Sequence, residues 1–182
     1  MSRIDKIMKN SKGFTTGELL VVFLVIGVLA LVTWVFINPP QVANQTRDAA
    51  RLINLANFTQ AINTSMSEAT SSAVLVLCQG LTYPCSGKSN DGSIAANGSG
   101  WLKMNLTAQK AVNLPTLPVD PVNDGIYHYS FCANGDQWEI STKLESEIEK
   151  ARMSSDGGND DALFEVGTNL TLIALSGGSC IY

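Results

Sequence analysis

Apolar residues are spread unevenly along the chain. From Leu19 to Ile37 they form a run of 19 residues with no charge and no polar face. About 20 apolar residues are enough to cross a hydrocarbon core as a helix, so this run predicts a membrane-spanning helix. Asn38-Pro39-Pro40 follows it and predicts a break at the membrane exit. The pattern then changes. Val42, Ala49, Leu52, Ile53, Ala56, Phe58, Ala61, Ile62 and Met66 recur at roughly helical spacing, with Arg47, Asp48 and Arg51 assigned to the polar side. An amphipathic helix over 39–72 is expected, its apolar stripe covered by a sheet from the downstream half.

Downstream the apolar segments are short. Residues 86–100, SGKSNDGSIAANGSG, read as a loop. Ile126–Phe131 and Gln137–Thr142 read as strands, and Ala133-Asn-Gly-Asp136 between them is a turn signal that pairs them as a hairpin. His128, between Tyr127 and Tyr129, is expected on the exposed strand face as a surface residue, not a catalyst. Lys143–Lys150 predicts a short helix or turn. Phe164-Glu-Val and Leu170–Leu175 predict the last strands. The expected fold is α+β: a long N-terminal helix, membrane-spanning in its first half and amphipathic in its second, packed on a small antiparallel sheet. It divides the chain into a basic leader (1–13), the apolar helix (14–38), the amphipathic helix (39–72) and a globular head (73–182).

Charge gives this layout a direction. The overall formal charge of −4 conceals a basic start: Arg3, Lys6, Lys9 and Lys12 against Asp5 alone. Beyond Lys12, eight basic residues face fifteen acidic ones. A basic flank before an apolar span places the N-terminus in the cytoplasm and the acidic remainder outside. That remainder has no broad basic footprint for nucleic acid, although Lys88, Lys103 and Lys110 would be the residues of a local DNA patch. All four cysteines, Cys78, Cys85, Cys132 and Cys180, follow the span, as disulfides in an exported domain would. Three pairings are possible. The preferred one joins Cys78 to Cys85 around a small loop and Cys132 to Cys180 near the C-terminus. No GxSxG, HExxH, Walker A or Cys/His motif occurs, so no enzyme is expected.

One residue breaks the apolar logic. Glu18 stands at the mouth of the run and is the only charge between Lys12 and Arg47. An ionisable residue in a membrane segment costs about 2.5–3.5 kcal/mol at the bilayer centre and is a functional hypothesis by default. A cleaved secretory signal is excluded by the length of the run and by the absence of a small-residue cleavage site after it. KGFTTGELLVVFLVIGV, from Lys12 to Val28, instead resembles the class III signal of type IV pilins and type II secretion pseudopilins. In that family a short basic leader ends in glycine, followed by phenylalanine and, four residues later, glutamate. Thr16 and Gly17 depart from the apolar residues more usual there, and Val35 stands where many members have proline. Leu117-Pro-Val-Asp-Pro121, followed by Tyr127-x-Tyr129, resembles a stretch of the major pseudopilins.

The resemblance implies a pilin-like fold and a structural subunit. A prepilin peptidase would cut between Gly13 and Phe14 and N-methylate Phe14. Glu18 would pair with the new amino group of Phe14 in a neighbouring copy. The partners implied are further copies of the chain, the peptidase and an inner-membrane assembly platform. The subunit would sit in the cytoplasmic membrane before assembly, and in a surface pilus or periplasmic pseudopilus afterwards. A type IV pilus subunit is the favoured expectation and a secretion pseudopilin the alternative; a minor pilin acting in adhesion or DNA uptake is a further one. The acidic glycine loop SSDGGNDD (154–161) resembles, in shorter form, the calcium loop of the major pseudopilins. It implies calcium held by Asp156, Asp160 and Asp161, with an Asx-turn or helix cap at Asp160 as the other reading.

Overall fold

A computed structural model describes residues 13–69, 76–107, 114–174 and 177–181. Residues 1–12 of the leader, the end of the amphipathic segment at 70–72, Lys110 and Leu175 lie outside the described residues. The chain separates into two compact units, Met1–Val42 and Ala43–Tyr182.

In the first unit, helix α1 (Thr16–Ile37) begins where Thr15 can cap it. Thr15 Oγ1 accepts from Glu18 N at 3.2 Å, and Glu18 Oε2 accepts from Thr15 N at 2.8 Å. This reciprocal capping box satisfies two backbone donors that a helix start would otherwise leave open. All of residues 13–34 are exposed, and the helix is long and apolar enough to cross a membrane. It ends at Asn38, whose φ of 45° and ψ of 71° place it in the left-handed region that stops a helix. Helix α2 (Pro39–Glu68) starts immediately after. Proline suits a first helical position, where its missing N–H has no partner to lose.

The second unit holds most of α2 and a four-stranded antiparallel sheet. Its strands are β1 (Cys85–Lys88), β2 (Ser130–Asn134), β3 (Gln137–Thr142) and β4 (Phe164–Gly167), in that spatial order. The β2–β3 hairpin turns at Gly135-Asp136, with Asn134 opposite Gln137 and Gly135 at φ 69°. Helix α3 (Glu147–Met153) follows β3, and a parallel pair, β5 (Ile173–Ala174) and β6 (Cys180–Ile181), follows β4.

Strand alternation builds two layers. Phe131, Ala133, Trp138 and Ile140 point to the main core, where they meet Leu55, Phe58, Ala61 and Ile62 of α2. Phe58 sits edge-on to Trp101 at 5.2 Å and to Tyr129 at 5.8 Å. Cys132 points the other way and joins Leu172, Ile173 and Cys180 in a second small cluster. Both sheet faces are therefore covered. The disulfides join Cys78 to Cys85 and Cys132 to Cys180, with Cα separations of 5.8 and 6.0 Å.

Four details differ from the sequence expectation. Ile53 is 61% exposed, while Asp48 and Arg51 are fully buried. The buried stripe runs through Asp48, Arg51, Leu55, Phe58, Ile62 and Ser65 in alternating steps of three and four, so charged residues continue the apolar face. Residues 85–88 form an edge strand instead of opening a loop. Gly87 permits it, because a Cβ there would lie 2.9 Å from the Trp101 carbonyl carbon. The strand expected from Ile126 begins only at Ser130, because Asp124 Oδ1 accepts from Ile126 N and Tyr127 N and folds that stretch into a turn. His128 consequently leaves the strand pattern and is buried, with Nδ1 3.2 Å from the Asp124 carbonyl.

Candidate functional site

Glu18 is held by its own helix start. Its Oε2 accepts from both the backbone and the hydroxyl of Thr15, at 2.8 and 3.0 Å. Gly13 and Phe14 lie just ahead of the cap, and Phe14 is 82% exposed. The glycine–phenylalanine bond is thus presented outside the helix, within one turn of Glu18, the one carboxylate of α1.

In the second unit, Asp156, Asp160 and Asp161 do not converge. Asp156 Oδ1 accepts from Gly158 N at 2.9 Å and Oδ2 from Glu165 N at 2.8 Å. Asp160 Oδ1 accepts from Ala162 N at 2.9 Å, an Asx-turn, and Asp161 is exposed. Their carboxylates shape the loop. Among the described residues no three His, Cys, Asp or Glu side chains group as a metal cluster.

A different set of oxygens does come together beneath this loop. Glu139 of β3 and Glu165 of β4 share the sheet face away from the main core, at 0% and 2% exposure. Ser141 faces Glu165 across the strands, and Glu139 lies two pairs along, opposite Gly167. The two carboxyl groups stand against each other. Glu139 Oε2 accepts from Leu172 N and Ile173 N at 2.8 and 2.9 Å, while Oε1 has no hydrogen-bond partner. Burial, and for Glu165 also the neighbouring Glu139, raises both carboxyl pKa values, that of Glu165 to about 8.

Asn159 closes this cluster from the loop side. The inward end of its amide lies 2.7 Å from the Leu170 carbonyl, 2.9 Å from Glu165 Oε1 and 3.3 Å from the Ile173 carbonyl. With nitrogen inward, two N–H bonds serve three acceptors.

Arg47, Asp48 and Arg51 of α2 are ion-paired. Arg51 binds Asp48, Asp120 and Glu145, and Arg47 also binds Glu145. The sequence reading did not single out Glu139, Glu165 or Asn159. The available signal was a glutamate between large apolar neighbours in two strands, Trp138-Glu139-Ile140 and Phe164-Glu165-Val166. Of the lysines named for a DNA patch, Lys103 donates to the Gly100 carbonyl at 2.9 Å and Lys88 lies on the edge strand β1. No protein-family model, no curated protein and no solved structure matches the chain.

Proposed function

We propose that the chain is a prepilin-like structural subunit that polymerises through α1. The observation that carries this reading is Glu18, the sole charge between Lys12 and Arg47, placed four residues after an accessible Gly13-Phe14 bond. A prepilin peptidase cuts that bond and methylates the new amino group. The anchor is retained because the cut precedes the apolar helix.

The capping box supports a two-state role for the carboxylate. In a single subunit Glu18 accepts from Thr15. In a filament it turns to the Phe14 amino group of an adjacent copy. Two unit charges about 4 Å apart attract by roughly 4 kcal/mol at an effective dielectric of 20, enough to set the axial register of neighbouring helices. The apolar surface of α1 is covered first by lipid and then by other copies of itself. A type IV pilus subunit is the favoured form.

The test is processing. Co-expressed with a prepilin peptidase, the protein should yield a chain beginning at N-methyl-Phe14, read by intact mass and by its N-terminal peptide. A chain left whole at Gly13, or cut after Pro40, removes the reading.

A further inference from the structure

The structure assigns Trp34 as the residue that fixes the depth of α1 in a phospholipid bilayer, its indole N–H donating to oxygens at the ester-carbonyl level of the leaflet opposite Glu18. The assignment rests on the reading of α1 as a membrane span and adds the register in which it spans.

Inside hydrocarbon, each hydrogen-bonding group needs a partner within the protein. From Leu19 to Trp34 only two side chains carry such a group, Thr33 and Trp34. Thr33 is satisfied by its own helix, donating from Oγ1 to the carbonyls of Leu29 and Ala30 at 3.0 and 2.9 Å. Trp34 is 72% exposed on α1. Its Nε1–H is a donor only, carried on a large apolar ring. Such a ring gathers where apolar chains and wet headgroups meet. Trp34 also closes the stretch from Thr16 that is long and apolar enough to cross a membrane, and the helix stops one turn later at Asn38.

Glu18 marks the other end, its carboxylate held by Thr15 in the capping box. At about 1.5 Å per residue, Trp34 stands about 24 Å along the helix axis from Glu18. The hydrocarbon core is about 30 Å thick. The two polar markers are therefore closer together than the two interfaces. Sliding α1 in either direction, or tilting it, carries one of them further into hydrocarbon, and the shortfall is met by thinning of the bilayer around the helix. Depth is thereby single-valued. Held at that depth, Gly13-Phe14 stays clear of hydrocarbon, on the face where the proposed cut is made. Trp34 is a positioning residue for that cut, acting from the far end of the helix.

Tryptophan fluorescence of the full chain, reconstituted in phosphatidylcholine vesicles, reads the depth directly. Bromine on the acyl chains quenches the indoles that it touches. Trp101 and Trp138, at 0% and 1% exposure in the second unit, are out of its reach, so the quenched signal belongs to Trp34. Bromine near the headgroup should quench at least about twofold more than bromine near the chain end. Trp34→Phe should abolish the difference. Equal or stronger quenching from the chain end overturns the assigned depth. No quenching by either lipid overturns the membrane span itself, and the assignment with it. The positioning role is read separately, by the rate of cleavage after Gly13 with a prepilin peptidase in the same membrane. Trp34→Leu should slow it by about tenfold, and Trp34→Tyr, with a polar tip of its own, should restore it. Equal rates in the parent and the leucine variant overturn the positioning role. No cleavage of the parent overturns the processing reading and the positioning role together, while the depth stands or falls on the quenching.

Discussion

Arg51 and Asp120, 69 positions apart, meet wholly inside the second unit through two hydrogen bonds, Nε to Oδ2 at 2.6 Å and Nη2 to Oδ1 at 2.8 Å. Asp120 also accepts from Val122 N at 2.8 Å, so one carboxylate clamps helix α2 and shapes the Pro-Val-Asp-Pro loop. Breaking a buried pair from one side strands the other charge, typically at about 3–5 kcal/mol. Arg51→Met should therefore cost about that much in denaturant unfolding. Unchanged stability would show that Asp48, Asp120 and Glu145 tolerate burial without their cation.

Acid should act through Glu145. Its hydrogen bond with Arg47, then burial opposed by Arg51, leaves its carboxyl below the usual glutamate range. The unfolded chain therefore binds this proton more readily than the folded one. The stabilisation is complete above the unfolded value, about 4.3, and drains as pH falls through the lower folded value. Glu145→Gln should flatten the loss of melting temperature below about pH 4.3. An identical acid slope in both proteins would assign acid sensitivity elsewhere.

Cys132–Cys180 spans 48 residues and ties the second cluster together. Replacing both cysteines by serine should lower stability by about 2–4 kcal/mol. Chymotrypsin sensitivity should rise in the segment after β4, which carries leucines but no lysine or arginine. A variant as resistant as the parent would mean that packing of Leu172 and Ile173 alone secures the C-terminal strands.

Glu18→Ala should leave membrane insertion intact, since it removes the one charge from an apolar helix, but should abolish filament assembly. Electron microscopy of cells carrying the assembly machinery reads the second outcome, and membrane fractionation the first. Normal filaments from this variant would dissociate Glu18 from assembly.

How far the sequence displayed this structure depends on the range of each interaction. Helix α1 is an uninterrupted local signal, and the β2–β3 turn is written in Asn134-Gly135. Strand β1 was not visible because Cys-Ser-Gly-Lys has no period of its own and exists only opposite β2. Arg51 reads as solvated from its charge alone, although its spacing to Leu55, Phe58 and Ile62 puts it on the buried stripe; its partners Asp120 and Glu145 lie far along the chain. The aspartate-rich loop attracted the ligand assignment because charge is legible in a sequence. The pairing of Glu139 with Glu165 leaves no such trace, because it depends on strand register.

Asp48 also accepts the backbone N–H groups of Glu145 and Ser146, at 2.7 to 3.1 Å, just ahead of α3. A seven-residue helix is far below the length that persists alone in water. The onset of α3 is thus signed by a side chain nearly a hundred positions upstream, on another helix. This couples two segments that share no sequence neighbourhood. The amides of α3 become a gauge of whether α2 is docked, exchanging with solvent when that long-distance clasp opens instead of fraying turn by turn.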